Sequence, residues 1–303
     1  MASLCYRYYI RVRRIGERYF PFALFSVAAI ALIAVLALSR RPLLWGAYVG
    51  QNPGDLAAFE SQVGKRVDVQ SYFMAWGDDF PDGIAAALAP RGNTLLLYWL
   101  QTGASLDDIL GGKYDAYIAA VAQEAKDYGS PVIFAPFHEM NGNWDSWSGT
   151  VGTNTPAKLI AAWRHVRTVF GVVPNAKFMW IVNSGSVPDT PGNAIGAYYP
   201  GGAYVDYVGV DGFNFNRPPL SWDEIFSPQL MTQLASYGKP IFISSTGSVP
   251  GANQMQWIAD MAAGVKKYPR IVGWIWFNKS DGTDNFLVNA SSETLAAFKK
   301  IIP

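Results

Sequence analysis

The sequence predicts a (β/α)8 barrel of the TIM type preceded by a single N-terminal transmembrane helix, and three observations carry that expectation. Eight short apolar runs lie between residues 45 and 278, each bounded by Gly, Pro, Asn or Asp. Helical patterns alternate with them, the rhythm of a closed parallel sheet wrapped by helices. The first run is followed by "YVGQNPGD", which lacks the G-x-G-x-x-G turn expected of the competing architecture, a doubly wound open sheet.

In chain order the strand candidates are "WGAYVG" (45–50), "DVQSYFMAWG" (68–77), "NTLLLYWL" (93–100) and "PVIFAPFHE" (131–139), then "KFMWIVN" (177–183), "YVGVDGFN" (207–214), "PIFISS" (240–245) and "IVGWIWFN" (271–278). Each has a β-branched or aromatic core of strand length. Short helices are expected over 54–64 and 81–90. A long one is expected over 107–129, where Tyr114, Tyr117, Ile118, Val121 and Ala125 fall at helical spacing. Residues 155–171 open with Thr155 and Pro156, and 291–302 with Ser291 and an acidic first turn, both standard helix starts.

Charge divides the chain unevenly. Of its 303 residues, the first 41 hold seven Arg, one Glu and no Lys, while the remainder is net acidic. The body therefore lacks the basic surplus that nucleic acid requires. Cys5 is the only cysteine, so no intrachain disulfide and no Cys-based metal site can form, and two histidines make a His-based centre improbable. No cofactor is expected. Residues 19–38 carry no charge over a length that just spans a hydrocarbon core of about 30 Å. Five Arg precede the run and two follow it, which puts the N-terminus inside and the body outside. The expected organisation is a basic cytoplasmic tail (1–18), a transmembrane anchor (19–38), a linker (39–44) and an extracytoplasmic barrel (45–303). A cleaved signal sequence, which would make the protein secreted, is the rival reading of the same run.

Chemistry in such a barrel gathers at the C-terminal ends of its strands. The fourth run ends in "FAPFHEMNGNWDSWSG" (134–149), where Glu139 emerges beside His138 and is followed by Asn143, Trp144 and Trp147. At the mouth of an apolar cleft, desolvation raises a carboxyl from about 4.3 toward the range of a general acid. Tryptophan faces stack on sugar rings, and Asn side chains both donate to and accept from hydroxyls. A loop Glu paired with a base is the bland alternative, and the nearest following base is Lys158.

These residues carry a resemblance. "HEMNGNW" after a strand, "YVDYVGVDGFN", "KPIFISSTGS" and "GWIWFN", over about residues 45–302, resemble glycoside hydrolase family 26, the family of endo-β-1,4-mannanases and mixed-linkage β-glucanases. The resemblance implies a retaining (β/α)8 barrel that takes β-linked polysaccharide, with Glu139 as acid/base. It also implies substrate contacts at His138, Asn143, Trp144, Trp147, Phe213, Asn214 and Trp276, the last as the ring under the sugar at the cleavage point.

One departure is central. The family's strand-seven motif resembles P-I-x-I-x-E-T-G-S, and here "PIFISSTGS" puts Ser245 where the nucleophile Glu belongs. Retaining hydrolysis needs two carboxyl groups about 5 to 5.5 Å apart. Serine is neutral and shorter, and no base is evident beside it. Three lesser departures are Ala135 for a common Arg, Phe213 for a Tyr that contacts the nucleophile, and a third strand ending in "YWLQTG" without an acid. Among substitute carboxylates, Asp211 in "GVDGFN" reads as a turn acid, and Asp281 and Asp284 as members of a solvated loop. The expectation is a membrane-held endo-β-glycanase scaffold, on β-mannan first and mixed-linkage glucan next, whose nucleophile is replaced by Ser245. That form would be inert in hydrolysis or glycosynthase-like, whether the replacement is engineered or natural. The alternatives are a natural pseudoglycosidase that binds β-glycan without cutting it, and a barrel that holds a chain during polysaccharide export.

Overall fold

In a computed structural model, which describes residues 42–280 and 282–303, eight parallel strands close into a barrel in sequence order. They are β1 (Leu44–Tyr48), β2 (Val69–Ala75), β3 (Thr94–Leu100), β4 (Val132–Pro136), β5 (Ala176–Asn183), β6 (Tyr207–Asn214), β7 (Ile241–Ser248) and β8 (Ile271–Phe277). Each coincides with one of the eight apolar runs. The tail, the 19–38 run, the start of the linker and Asp281 lie outside the described residues. Among the described residues no helix is long and apolar enough to cross a membrane.

The strands are apolar on both faces because both faces are buried. On β3, Leu96 and Tyr98 point into the barrel, where they meet Val69, Ile133, Ala135, Met179, Ile181, Phe242 and Ile275. Leu95, Leu97 and Trp99 point outward into the larger layer under the helices. Glycine supplies room where rings press on the sheet: a Cβ at Gly273 would lie 2.3 Å from the Phe242 ring.

The helices are α1 (Pro53–Val63), α2 (Asp82–Leu88), α3 (Leu106–Leu110), α4 (Asp115–Tyr128), α5 (Pro156–Phe170), α6 (Trp222–Ile225), α7 (Pro228–Ser236), α8 (Gln254–Lys267) and α9 (Ser292–Ile301). The helix expected over 107–129 is two. Gly111 closes α3 and Gly112 turns the chain at φ +80, a conformation that L side chains rarely adopt. Ser105 caps α3, Thr155 caps α5 and Ser291 caps α9 through side-chain acceptance of a backbone N–H. The Ser221–Glu224 pair forms a reciprocal capping box on α6.

Two irregularities aim side chains at the barrel mouth. Between Ile243 and Thr246, β7 advances three residues while β8 advances two, from Trp274 to Trp276. The extra residue is a bulge that turns the consecutive Ser244 and Ser245 toward the site. Between Ile241 and Phe242 the surplus residue is on β8, because Ile241 pairs with Ile271 and Phe242 with Gly273.

Candidate active site

Immediately after β4 the chain turns through two residues with positive φ, Phe137 at 52 and Glu139 at 51. Such backbone costs about 1–3 kcal/mol and persists only where surroundings enforce it. Here Gln101, buried at the end of β3, accepts the Phe137 N–H on its side-chain oxygen at 2.7 Å. The Glu139 N–H donates to the Ile181 carbonyl of β5 at 3.0 Å. Asn141 and Asn183 lock the two segments together. The Asn141 amide donates to the Asn183 carbonyl, and the Asn183 N–H donates back to the Asn141 oxygen. The strained turn is thereby held to the end of β3 before Glu139 and to β5 at and after it.

The Glu139 carboxylate accepts one hydrogen bond on each oxygen. Asn183 Nδ2 lies 2.9 Å from Oε1, and Trp144 Nε1 lies 2.9 Å from Oε2. Burial pushes its pKa up, and these two donors pull it part of the way back. His138 is buried between Tyr98, Phe73 and Trp147, with ring centroids 5.1, 6.1 and 5.4 Å away. Desolvation lowers its pKa to about 3, so the imidazole is neutral across the physiological range. Trp147 is held by donation from its ring N–H to the His138 carbonyl at 2.8 Å.

A cavity of about 220 Å³ opens at the barrel mouth between Glu139 and Ser245. His138, Asp211, Tyr98 and five phenylalanines (73, 213, 215, 277 and 286) complete its wall. Asp211 was expected in a turn, and the structure corrects this. It lies within β6, 2% exposed, facing the cavity. The adjacent Gly212 serves close packing, since a Cβ there would meet Ile225 at 2.6 Å. Asp211 Oδ1 accepts from the Ser244 hydroxyl at 2.6 Å and from the Tyr98 hydroxyl at 3.2 Å. The Ser245 N–H also donates to this carboxyl. Burial, and then the charge of Glu139, hold it well above the usual carboxylate range.

Two further hollows flank this centre. One of about 600 Å³ is lined by Glu139, Trp144, Asn183 and Phe213 together with residues 184–187 and part of α6. The other, about 380 Å³, is lined by Phe73, His138, Trp144, Asp145 and Trp147. Burial and the charge of Glu139 push Asp145 up to about 7, and its Oδ2 is buried without a hydrogen-bond partner.

The structure brings Glu139, Ser245, His138, Trp144, Trp147 and Phe213 together around these hollows. Three residues expected to contact substrate lie elsewhere. Asn143 is exposed and lines none of the three. Asn214 is buried and spends its amide on Ser248 and Asn253, tying β6 to the loop beyond β7. Trp276 is fully buried in the outer layer against Trp257 and Phe298, and its ring N–H donates to the Phe286 carbonyl. Its neighbour Phe277 is the ring that reaches the cavity. Asp284 is paired through both oxygens with Arg217, away from the cavity. Sequence reasoning passed over Asn183, Tyr98, Ser244 and Phe286. Of these, Asn183 alone stood at a recognisable strand end.

The sequence model of glycosyl hydrolase family 26 matches residues 98–289. Endoglucanase H of Acetivibrio thermocellus is 33% identical over 273 residues, which cover 85% of this chain and 30% of that protein. A mannan endo-1,4-beta-mannosidase of Bacillus subtilis strain 168 is 24% identical over 176 residues, 55% of this chain and 45% of that one. The chain thus spans less than half the length of either relative. The catalytic domain of a Bacillus sp. JAMB-750 endo-beta-1,4-mannanase superposes with a TM-score of 0.67 at 19% identity, over 86% of this chain and 85% of that chain. With the family pattern running from β3 past β8, and through both Glu139 and Ser245, this chain belongs to glycosyl hydrolase family 26.

Proposed function

We propose that the barrel is a β-1,4-glycan site in which Glu139 keeps the acid/base position and Ser245 stands in place of the nucleophile. Unsubstituted polymer is then bound and not hydrolysed. The observation that carries this reading is the single cavity lined by Glu139 on one side and Ser245 on the other. In a retaining mechanism the acid protonates the leaving oxygen while a second carboxylate attacks C1 from the opposite face. Ser245 is neutral, and among the described residues no hydrogen bond joins its hydroxyl to a base; the neighbouring Asp211 carboxyl accepts its backbone N–H instead. The half of the chemistry that Glu139 performs is intact, because the carboxyl is in place and burial shifts its pKa upward, the direction a proton donor requires.

An α-glycosyl fluoride bypasses the missing step. Its fluorine occupies the face that the nucleophile would have approached, and Glu139 as base takes the proton from an acceptor hydroxyl as fluoride departs. The protein is then glycosynthase-like. Substrate contacts fall to His138, Trp144, Trp147 and Phe213. β-1,4-mannan and mixed-linkage β-glucan are the polymers proposed, in keeping with relatives named as a mannosidase and an endoglucanase. The anchor reading is part of the same proposal: residues 1–18 inside, 19–38 in the membrane, and the barrel outside.

Restoring the carboxylate tests the site. Ser245→Glu is expected to raise hydrolysis of a β-1,4-mannan or mixed-linkage glucan by about 10⁴ or more, the usual scale for a lost covalent nucleophile. A Glu form as inert as the Ser245 form on every β-glycan tried refutes the assignment of position 245.

A further inference from the structure

The cavity beside Ser245 has a composition that a plain sugar does not call for. Phe213, Phe277 and Phe286 form an apolar corner, with ring centroids 5.8, 5.2 and 5.8 Å apart. Gly247 makes room for it, since a Cβ there would lie 2.8 Å from the Phe286 ring. None of the three rings carries a donor for a sugar hydroxyl. Next to the corner stands Asp211, a buried carboxyl whose donors, Ser244, Tyr98 and the Ser245 N–H, are all neutral. Burial and the charge of Glu139 disfavour its ionised form, and a cation formed beside it would favour that form. The site therefore combines an acid, a space where a nucleophile would stand, a pocket for a methyl group and an acceptor suited to a transient cation.

We propose that the substrate brings its own nucleophile, and that the protein hydrolyses β-linked 2-acetamido-2-deoxy sugars of gluco or galacto configuration by substrate assistance. The inference rests on the reading of Glu139 as acid/base. The acetamido carbonyl oxygen bonds to C1 as the bond from C1 to the leaving oxygen breaks, and that oxygen takes the proton of Glu139. The product of this step is a bicyclic oxazolinium, whose N–H is held by Asp211 and whose methyl lies against the three phenylalanines. Water then attacks C1 with Glu139 accepting its proton, the ring reopens to the acetamide, and the anomeric configuration is retained. Water is the only co-reactant, and such chemistry is established for other retaining hydrolases. The 2-substituent must be trans to the leaving group to attack from the vacated face, so β-linked mannosamine is excluded.

The test uses the full chain and three aryl β-1,4-disaccharides: the di-N-acetylglucosamine compound, its N-deacetylated form and the cellobioside. Binding of cello- and manno-oligosaccharides is measured in parallel by calorimetry. The expected result is turnover of the acetamido compound alone, blocked by a thiazoline analogue of the oxazoline. Glu139→Gln should reduce it by about 10²–10⁴, the scale of a lost general acid. Ser245→Glu should exchange the specificities, abolishing acetamido turnover as the new side chain fills the space. Asp211→Asn should lower turnover of the acetamido compound. Should that buried variant fail to fold, the thiazoline and Ser245→Glu arms decide the matter alone. Inert acetamido compound with cello- or manno-oligosaccharide still bound overturns this inference and leaves the glycan site standing. Loss of both overturns the glycan site as well. Acetamido turnover that survives Ser245→Glu, or ignores the thiazoline, overturns substrate assistance.

Discussion

Trp144→Phe isolates one of the two hydrogen bonds that set the acidity of Glu139. The indole N–H donates to Oε2 at 2.9 Å, and phenylalanine keeps much of the apolar cover while removing the donor. Hydrogen bonds to a charged group contribute about 1.5–3 kcal/mol. Trp144 is 49% exposed, so water replaces part of that donation, and we take about 1.5 kcal/mol. The ionised form loses that stabilisation, so the Glu139 pKa rises. The sign is fixed by the chemistry: the lost bond favoured the ionised form, so the carboxyl holds its proton to higher pH. The assay is a pH titration of the Glu side-chain carboxyl resonances in carbon-13-labelled protein, with Glu139→Gln identifying the signal. It needs no turnover, so it is independent of Ser245. A pKa that stays put or falls refutes the view that Trp144 tunes Glu139.

Asp145→Asn is expected to raise the melting temperature near pH 8 and to change it little near pH 4. Burial and the charge of Glu139 push the Asp145 carboxyl up to about 7, from about 3.9 for a free aspartate, so folding favours the protonated form and stability is lost as pH rises from about 4 to 7. Equal shifts at both pH values would show that this carboxyl is not the source. Separately, protease added to intact cells is expected to digest the barrel and spare residues 1–18 if the 19–38 run is an uncleaved anchor. A mature soluble protein starting near Ser39 would establish a cleaved signal instead.

The strand order was legible because both faces of a parallel barrel strand are buried, so each strand reads as an apolar run closed by Gly, Pro, Asn or Asp. Helices were legible where a cap preceded a long periodic stretch, as at Thr155 and Ser291. Three helices were not read from the sequence: α6, a single turn too short to show a period, α7, of nine residues, and α8, of fourteen residues with no side-chain cap at its start. The pair Gly111–Gly112 was read through as helix, since Tyr114, Tyr117 and Ile118 continue an apolar stripe in the following segment.

Side-chain direction was the harder quantity, and β8 shows why. Strand side chains alternate with period two, so one extra residue moves every later side chain to the opposite face. Val272 packs toward the barrel interior, and unbroken alternation would carry Trp274 and Trp276 inward as well. The surplus residue between Ile271 and Gly273 reverses this, placing Ile275 and Phe277 inward and both tryptophans in the outer layer. A motif gives the strand and its end; it does not give the bulge. The same physics acts on β7, where the bulge lets Ser244 hold Asp211 while Ser245 faces the cavity. Asp211 was hidden for a related reason. An Asp-Gly pair is a turn signal when the glycine supplies a positive φ, whereas Gly212 is there because Ile225 and Phe226 of the packed α6 segment leave no room for a Cβ. Carboxylate and glycine each answer to a different neighbour, one inside the barrel and one outside, and only the closed sheet brings those neighbours into place.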